Sequence, residues 1–490
     1  MATSERRGFA QRARGRVALL VGGLAGLGVV FGVAAWALHG TRPGAAPAPT
    51  TPPNIVMIVI DTLRADQLGA YGNPRGLTPF LDALAARGTV FTNASATSSW
   101  TCPSVASLFT SRYATQHGVH GFASQLADEE RTLAEALDDA GYRSAGFTAN
   151  FRLTTQLGYA QGFAFWSAYM PPADPERPIT KVRGGRLRAA AERWLTTTGV
   201  LGGPAPIFLY LQLMETHAPY DPPQPFRERF AGAVDDASAR AAHEKLLRPI
   251  FGMKQLRRDE LNQLRHLYAG EVASADAELA LLFERLEALG VLRDALIIVT
   301  ADHGEEFGEH GQMLHGWSLY EPAVHVPLLL VGPGVPAGVV DAEPVSLLDL
   351  APTVLALAGL PPEPSFEGRA FLPERGGASA PGAHPHGVIS ELERVNPTGF
   401  DARMHVRSLR DGVHKVLVTP RGALEIYDLS SDPRETRPLT GADAIDAAAS
   451  LAPLDAHRSA LAARQAPPRA EAVALDEATK EKLRALGYHD

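Results

Sequence analysis

Two groups of residues in this sequence carry side chains that could do chemistry. Thr101 and Cys102 are both possible nucleophiles and stand just before a predicted helix. Asp302 and His303 follow an apolar run and offer an oxygen and a nitrogen ligand, a mixed pair that suits Zn²⁺ or Mn²⁺. Asp61 ends another apolar run, where a carboxylate either binds a metal or caps a turn. These are the residue types that metal-assisted nucleophilic chemistry requires.

The predicted helix begins in the sequence SSWTCPSVASLFTSR. Pro103 suits its first turn, where the missing N–H is no loss. Val105, Leu108 and Phe109 follow at i, i+3 and i+4, so one helix face is apolar and can pack in a core. The free N–H groups and the positive end of the dipole at the helix start favour an anion there. An ordinary capped helix after a loop would show the same pattern.

The stretch resembles the nucleophile motif of the sulfatase family, within the alkaline phosphatase superfamily. That motif is Cys-x-Pro-Ser-Arg, followed by a helix that ends in Thr-Gly-Arg. Pro103-Ser104 matches the Pro-Ser, and Thr110-Ser111-Arg112 matches the Thr-Gly-Arg. In this alignment the nucleophile position holds Thr101 and not Cys102, and Val105 replaces the motif's Arg. The resemblance therefore implies a threonine nucleophile where sulfatases carry formylglycine.

The resemblance also implies one divalent metal ion, Mn, Zn or Ca. Its ligands would be Asp61, Asp302 and His303, and the hydroxyl of Thr101 would complete the shell. The family usually has Asp-Asp at the first position, whereas this chain has Asp61 followed by Thr62. At this position the resemblance therefore implies only one metal ligand, Asp61.

Three further residues are predicted to act in catalysis. Arg112 could stabilise anionic charge with two parallel hydrogen bonds, or form a surface ion pair. His217 resembles the His of the family's His-x-Pro segment, which contacts oxygens of the transferred group. His315 lies near the place of a sulfatase Lys that contacts the ester, and it could protonate the leaving group. Asn150 and Arg152 stand where sulfatases have a Lys and a His.

Alternating apolar strands and helices predict an α/β fold with a doubly wound, mainly parallel sheet. A small antiparallel sheet subdomain is expected after it, because HKVLVT and ALEIYDL alternate in polarity. We predict a catalytic domain at 54–375, the C-terminal sheet subdomain at 388–439 and a helical tail at 440–490. The resemblance covers about 54–439.

The N-terminus predicts a membrane anchor. Residues 1–16 are rich in Arg and should be cytoplasmic, whereas 17–38 carry no charge. A helix of that length would span about 33 Å, enough for a bilayer core. A cleaved signal peptide is the alternative, because AWA at 35–37 could be a cleavage site. The Pro-rich linker 39–53 would then tether the catalytic domain on the periplasmic or extracytoplasmic side.

The amino-acid composition restricts the classes of partner and metal site that we expect. The net charge of −8 gives no reason to expect nucleic acid, and the single Cys excludes an intramolecular disulfide and a cysteine zinc cluster. We expect a hydrolase of small-molecule, glycan or lipid esters, leaning to phosphate esters and diesters. The alternatives are a true sulfatase acting on sulfated sugars or aryl sulfates, and an inactive binding protein that keeps the fold.

Overall fold

The computed structural model describes residues 52–121, 124–170, 181–235, 238–239, 241–242, 256–371, 387–394, 404–419 and 422–441. The predicted cytoplasmic segment 1–16, the membrane span 17–38 and nearly all of the linker and tail lie outside these residues. Within them, no helix combines the length and the apolar character that crossing a bilayer requires. The membrane anchor and its orientation therefore stay predictions.

The strands of the described part occupy the following ranges. They are Ile55–Ile60 (β1), Thr89–Phe91 (β2), Ala94–Ser95 (β3), Arg143–Thr148 (β4), Phe165–Ala168 (β5), Ile207–Leu213 (β6), Leu296–Thr300 (β7), Glu306–Phe307 (β8), Met313–Leu314 (β9), Leu328–Val331 (β10), Val339–Asp341 (β11), Val345–Ser346 (β12), Val388–Arg394 (β13), Met404–Asp411 (β14), His414–Val418 (β15) and Leu424–Asp428 (β16).

Eight of these strands form the main sheet, in the order β11-β2-β10-β7-β1-β6-β4-β5. β1 lies in its middle and runs parallel to β6 and to β7. β10 runs antiparallel to both of its neighbours, β7 and β2. The other pairs, β4 with β5 and β6 and β2 with β11, are parallel. The prediction of a mainly parallel sheet is confirmed.

The α-helices of the described part are Pro79–Ala85 (α1), Thr101–Thr110 (α2), Ala114–His117 (α3), Leu133–Asp139 (α4), Gly184–Thr197 (α5), Phe226–Ala231 (α6), Arg258–Ala288 (α7), Glu321–Val324 (α8) and Leu350–Leu357 (α9). α7 packs against α1, α5 and α6, whereas α2 packs against α3, α4 and α9. Every residue of β1, β6 and β7 is buried, as expected for strands covered on both faces by helices. The fold is therefore of the predicted α/β class.

The carboxyl ends of four neighbouring strands, β7, β1, β6 and β4, lie together at one edge of the sheet. Ile60, the last residue of β1, pairs with Leu213, the last residue of β6. Gln212 pairs with Val59 on one side and with Thr148, the last residue of β4, on the other. Ligands of open α/β sheets gather at this edge, so the segments that follow these strands are candidates for a functional site.

The C-terminal antiparallel sheet, in the order β13-β14-β15-β16, is also as predicted. A buried ionic cluster joins it to the main domain: the Glu321 carboxylate lies 2.9 Å from Arg410 and 2.8 Å from Lys415. On β13, the Ser390 hydroxyl donates to the carbonyl of Ala96 at 2.7 Å. This sheet therefore supports the segment that leads into α2.

Candidate active site

Three buried residues at the carboxyl edge form a cluster that could hold a metal ion. Asp61 follows β1, and Asp302 and His303 follow β7. One potential ligand atom from each lies within 4.8 Å of the others, and all three side chains are fully buried. His303 Nε2 is 3.8 Å from Asp61 Oδ1 and 3.6 Å from Asp302 Oδ2. The structure thus brings the predicted ligands together from strands some 240 residues apart in sequence.

The tautomer of His303 suits metal binding. Its Nδ1 lies 2.9 Å from the carbonyl of Gly304. A carbonyl oxygen can only accept, so Nδ1 carries a proton, and the neutral ring with this tautomer has the lone pair of Nε2 available to a metal ion. A hydrogen bond from the second ring nitrogen is the usual way in which a protein orients a histidine ligand.

The two carboxylates are held by different donors. Asp61 Oδ2 accepts from Asn150 Nδ2 at 2.7 Å, whereas Asp61 Oδ1 is buried and has no hydrogen-bond partner in the described structure. Asp302 Oδ1 accepts from the backbone N–H groups of Thr62 at 3.3 Å and of His303 at 3.0 Å. Burial, together with the charge of Asp61, raises the pKa of Asp302 well above its ordinary value. A cation between the two groups would remove this repulsion.

Thr62 contributes through its backbone. Its φ is +62°, a left-handed conformation that is costly for a β-branched residue. The bend turns its N–H toward Asp302 directly after Asp61. Backbone strain of this kind concentrates at functional sites, and here it ties the two predicted metal ligands to each other.

Thr101 lies at the start of α2, beside the cluster. Its Oγ1 is 3.4 Å from Asp61 Oδ2, 3.3 Å from His303 Nε2 and 3.3 Å from Asn150 Nδ2. α2 begins at Thr101, so this residue and Cys102 are in the first turn and not before it as expected from the sequence. Trp100, which has an extended backbone, is the N-cap of the helix.

Cys102 has a different environment. The carbonyl of this residue accepts from the hydroxyl of Tyr159 at 2.8 Å, and its thiol is buried. Burial raises the pKa of the thiol, although the nearby Arg152 acts in the opposite direction. A thiol with a raised pKa is a poor nucleophile, since the thiolate is the reactive form.

The two predicted catalytic histidines lie close to each other. The ring centroids of His217 and His315 are 5.0 Å apart, and those of His315 and His303 are 4.5 Å apart. His315 Nδ1 is 2.8 Å from Glu305 Oε1, and the hydroxyl of Tyr220 donates to Glu305 Oε2 at 2.7 Å. Burial raises the pKa of Glu305 to about 7. The structure therefore places both histidines beside the cluster and gives His315 a buried carboxyl partner.

Arg112 does not join this group. It follows the far end of α2, about 15 Å from Thr101 at the usual rise per residue. Its guanidinium forms two hydrogen bonds with the carboxylate of Glu130, at 2.7 and 2.6 Å. The contacts of Arg112 are those of a structural ion pair. Arg152, which is buried near Cys102, is the cation that lies closer to the start of α2.

Sequence reasoning missed Gln212, Glu305 and Tyr220. Gln212 Nε2 lies 3.1 Å from Asp302 Oδ2 and 3.4 Å from Asp61 Oδ2. One signal was available: Gln212 and Tyr210 are polar residues within a strand, IFLYLQL, that is otherwise apolar and fully buried. A buried polar side chain on a central strand needs a partner, and these strand-end carboxylates supply it.

The sequence is similar to a known protein family and to characterised relatives. The family profile described as Sulfatase matches residues 53–360. Arylsulfatase K of Rattus norvegicus is 26% identical over 440 residues, which cover 80% of this chain and 77% of that protein. An ulvan-active sulfatase of Formosa agariphila is 26% identical over 414 residues, covering 80% of this chain and 78% of that protein.

The similarity extends to solved structures. The phosphonate monoester hydrolase of Agrobacterium radiobacter superposes with a TM-score of 0.66 at 24% identity, over 84% of this chain and 95% of that chain. The phosphonate monoester hydrolase of Silicibacter pomeroyi has the same TM-score at 22% identity, over 83% of this chain and 95% of that chain. At these identities the similarity shows a common fold.

Proposed function

This chain belongs to the sulfatase family of ester hydrolases, within the alkaline phosphatase superfamily, and on that premise we propose that it hydrolyses phosphate esters or diesters through a covalent ester on Thr101. The proposal rests on one observation. The hydroxyl of Thr101 lies 3.3 Å from His303 Nε2 and 3.4 Å from Asp61 Oδ2, among the candidate metal ligands. The substrate would be a small molecule, a glycan or a lipid that carries the ester.

A divalent cation fits this site. Asp61 Oδ1 is a buried oxygen without a hydrogen-bond partner in the described structure, and a second carboxylate stands beside it. Asp61, Asp302, His303 and the Thr101 hydroxyl would hold the ion, a set of three oxygens and one nitrogen that suits Mn²⁺ or Zn²⁺ better than Ca²⁺. When bound, the ion would lower the pKa of a hydroxyl and stabilise negative charge on ester oxygens.

The residues then have distinct tasks. In the first step Thr101 Oγ1 attacks phosphorus, its proton leaves to solvent, and the bond from phosphorus to the alcohol oxygen breaks. His315 gives the departing alcohol a proton. In the second step water attacks phosphorus and gives a proton to His315, the bond from phosphorus to Oγ1 breaks, and Thr101 regains a proton from solvent. His217, whose ring lies 5.0 Å from that of His315, would contact the oxygens of the transferred group.

The identity of the nucleophile favours phosphorus over sulfur. Sulfatases of this family use a formylglycine hydrate, whose second hydroxyl expels sulfate by breaking the C–O bond. Threonine has no second hydroxyl, so its ester must be cleared by attack at phosphorus or sulfur. Attack at phosphorus depends on positioning and charge stabilisation, which a buried site of this kind supplies. Hydrolysis of sulfated sugars or aryl sulfates is the second candidate, because sulfatases are among the relatives.

A panel of chromogenic esters tests the proposal. The full chain, supplied with Mn²⁺ or Zn²⁺, should turn over p-nitrophenyl phosphate or bis-p-nitrophenyl phosphate faster than p-nitrophenyl sulfate at equal concentration. The matched control is the Thr101→Ala variant, purified in the same way. Activity that remains in this variant comes from a contaminating phosphatase. Turnover of the sulfate ester alone would favour the true sulfatase. No turnover of any ester by metal-loaded protein would favour a binding protein.

His315 is expected to matter most for poor leaving groups. The His315→Gln variant should lose on the order of 10²-fold or more in kcat/KM for an alkyl phosphate ester, because a general acid contributes about that much. It should lose much less for p-nitrophenyl esters, since p-nitrophenolate leaves without a proton. His217→Gln is the comparison, expected to weaken both classes alike. An equal loss for both classes in His315→Gln would contradict the role as acid.

A further inference from the structure

The strand β6 carries two polar side chains on one face of the main sheet. Tyr210 and Gln212 are two positions apart, so they point the same way from the strand, and neither is exposed. Gln212 is fixed on both sides: its backbone pairs with β1 and β4, and its carbonyl accepts from Ala149 at 2.9 Å. A side chain on such a central strand has little freedom to move, which suits a positioning role.

The orientation of the Gln212 amide follows from what its neighbours can do. Its Nε2 lies 3.1 Å from Asp302 Oδ2 and 3.4 Å from Asp61 Oδ2. Carboxylates that hold a cation are ionised and only accept hydrogen bonds, so the NH₂ end faces them. The other end, Oε1, accepts from the hydroxyl of Tyr210 at 2.5 Å. Tyr210 therefore holds the amide in the one orientation that satisfies both carboxylates.

The amide links the two carboxylates at defined oxygens. Asn150 donates to Asp61 Oδ2, while Gln212 reaches Asp61 and Asp302 together. These bonds engage Oδ2 of Asp61 and leave its Oδ1 without a hydrogen-bond partner in the described structure. Gln212 is therefore a common hydrogen-bond donor to the two carboxylates, which His303 Nε2 also approaches, at 3.8 and 3.6 Å.

We propose that Gln212, oriented by Tyr210, is a positioning residue that fixes which oxygens of Asp61 and Asp302 face a divalent cation, and so sets the metal affinity of the site. The inference rests on the proposed function only in taking this cluster as the metal site. Gln212 acts through the carboxylates and is not itself a ligand.

Metal affinity of the full chain, measured without substrate, tests this proposal. Metal-free protein is titrated with Mn²⁺ in competition with a chromogenic chelator. Gln212→Leu removes the donor at similar volume and should weaken Mn²⁺ binding by about 10- to 100-fold, the usual loss when a partner of a metal ligand is removed. Tyr210→Phe leaves the amide free to turn and should cause a smaller loss in the same direction. Tyr142→Phe is the matched control, because its hydroxyl is also buried but donates to the carbonyl of Pro53.

The outcomes separate this proposal from the proposed function. Wild-type Mn²⁺ affinity in a folded Gln212→Leu variant would overturn the proposal, even if Thr101 proves to be the nucleophile. If Gln212→Leu does not fold, Tyr210→Phe decides, and unchanged affinity there counts against the proposal. Weakened binding in a protein that turns over no ester would support the positioning role while the proposed function fails.

Discussion

Replacing Thr101 by Ala is expected to lower kcat by on the order of 10³-fold or more, the scale observed when a nucleophile is lost. The reason is geometric: the Thr101 hydroxyl is the one placed 3.4 Å from Asp61 Oδ2 and 3.3 Å from His303 Nε2. The loss should appear in kcat and kcat/KM alike, because attack is a property of the transition state. Steady-state kinetics on the best ester of the panel measure it, and Thr101→Ser, which keeps the hydroxyl, should retain most of the activity.

Cys102 provides the matched control for Thr101. It is the next residue in the same helix turn and is equally buried, so Cys102→Ser should cost far less than Thr101→Ala. The intact mass of the wild-type chain should show an unmodified thiol at position 102. The opposite pattern, with Cys102→Ser inactive, Thr101→Ala active and a formylglycine mass at position 102, would return the protein to the chemistry of the true sulfatases.

The sequence predicted which residues form the candidate metal cluster because its members are local features of strand ends. Asp61 and Asp302-His303 each follow a continuous apolar run, and such runs are buried parallel strands. Carboxyl ends of neighbouring parallel strands meet at one edge, so residues that follow them meet as well. The apolar runs that the sequence analysis noted before Asp61 and Asp302 are the strands β1 and β7 of the structure.

The partners of those residues depend on which strands are neighbours, and the sequence does not specify that order. Gln212 contacts Asp61 and Asp302 because β6 and β7 flank β1, an arrangement that no periodicity reveals. Glu305 was visible in the sequence DHGEE, but its contact with His315 depends on how the short strands β8 and β9 pair. The antiparallel direction of β10 could not be predicted for a similar reason, because an apolar run has no direction in sequence.

Arg112 illustrates a different limit. The motif match predicted that Arg112 acts together with the nucleophile, yet a helix of ten residues separates the two. Glu130, 18 residues further along the chain, accepts hydrogen bonds from its guanidinium. A motif gives the order of residues in the sequence. Whether a charged side chain can contact a substrate depends also on which ion pairs it forms in the fold. Arg152, which stands where sulfatases have a His, is the buried cation beside Cys102.

Replacing Asp302 by Asn is expected to weaken metal binding strongly without unfolding the protein. Asn keeps the shape and one oxygen, which can still accept from the backbone N–H groups of Thr62 and His303. It removes one of two close buried charges, so the metal-free variant should be at least as stable as the metal-free wild type. Its Mn²⁺ affinity should fall by on the order of 10²-fold or more, since losing a ligand should cost at least as much as losing a ligand's partner. Activity should fall with occupancy.

Thermal unfolding with and without metal distinguishes this result from simple damage. Metal that binds only the folded state raises Tm, so wild type should show a shift on adding Mn²⁺ and Asp302→Asn should show none at the same concentration. Asp276→Asn is the matched control: Asp276 is also buried, but it accepts from the N–H groups of Phe80 and Leu81 at the start of α1. That variant should lose stability and keep the Mn²⁺ shift. Elemental analysis should find one ion per wild-type chain, and full occupancy in Asp302→Asn would mean that the ion binds elsewhere.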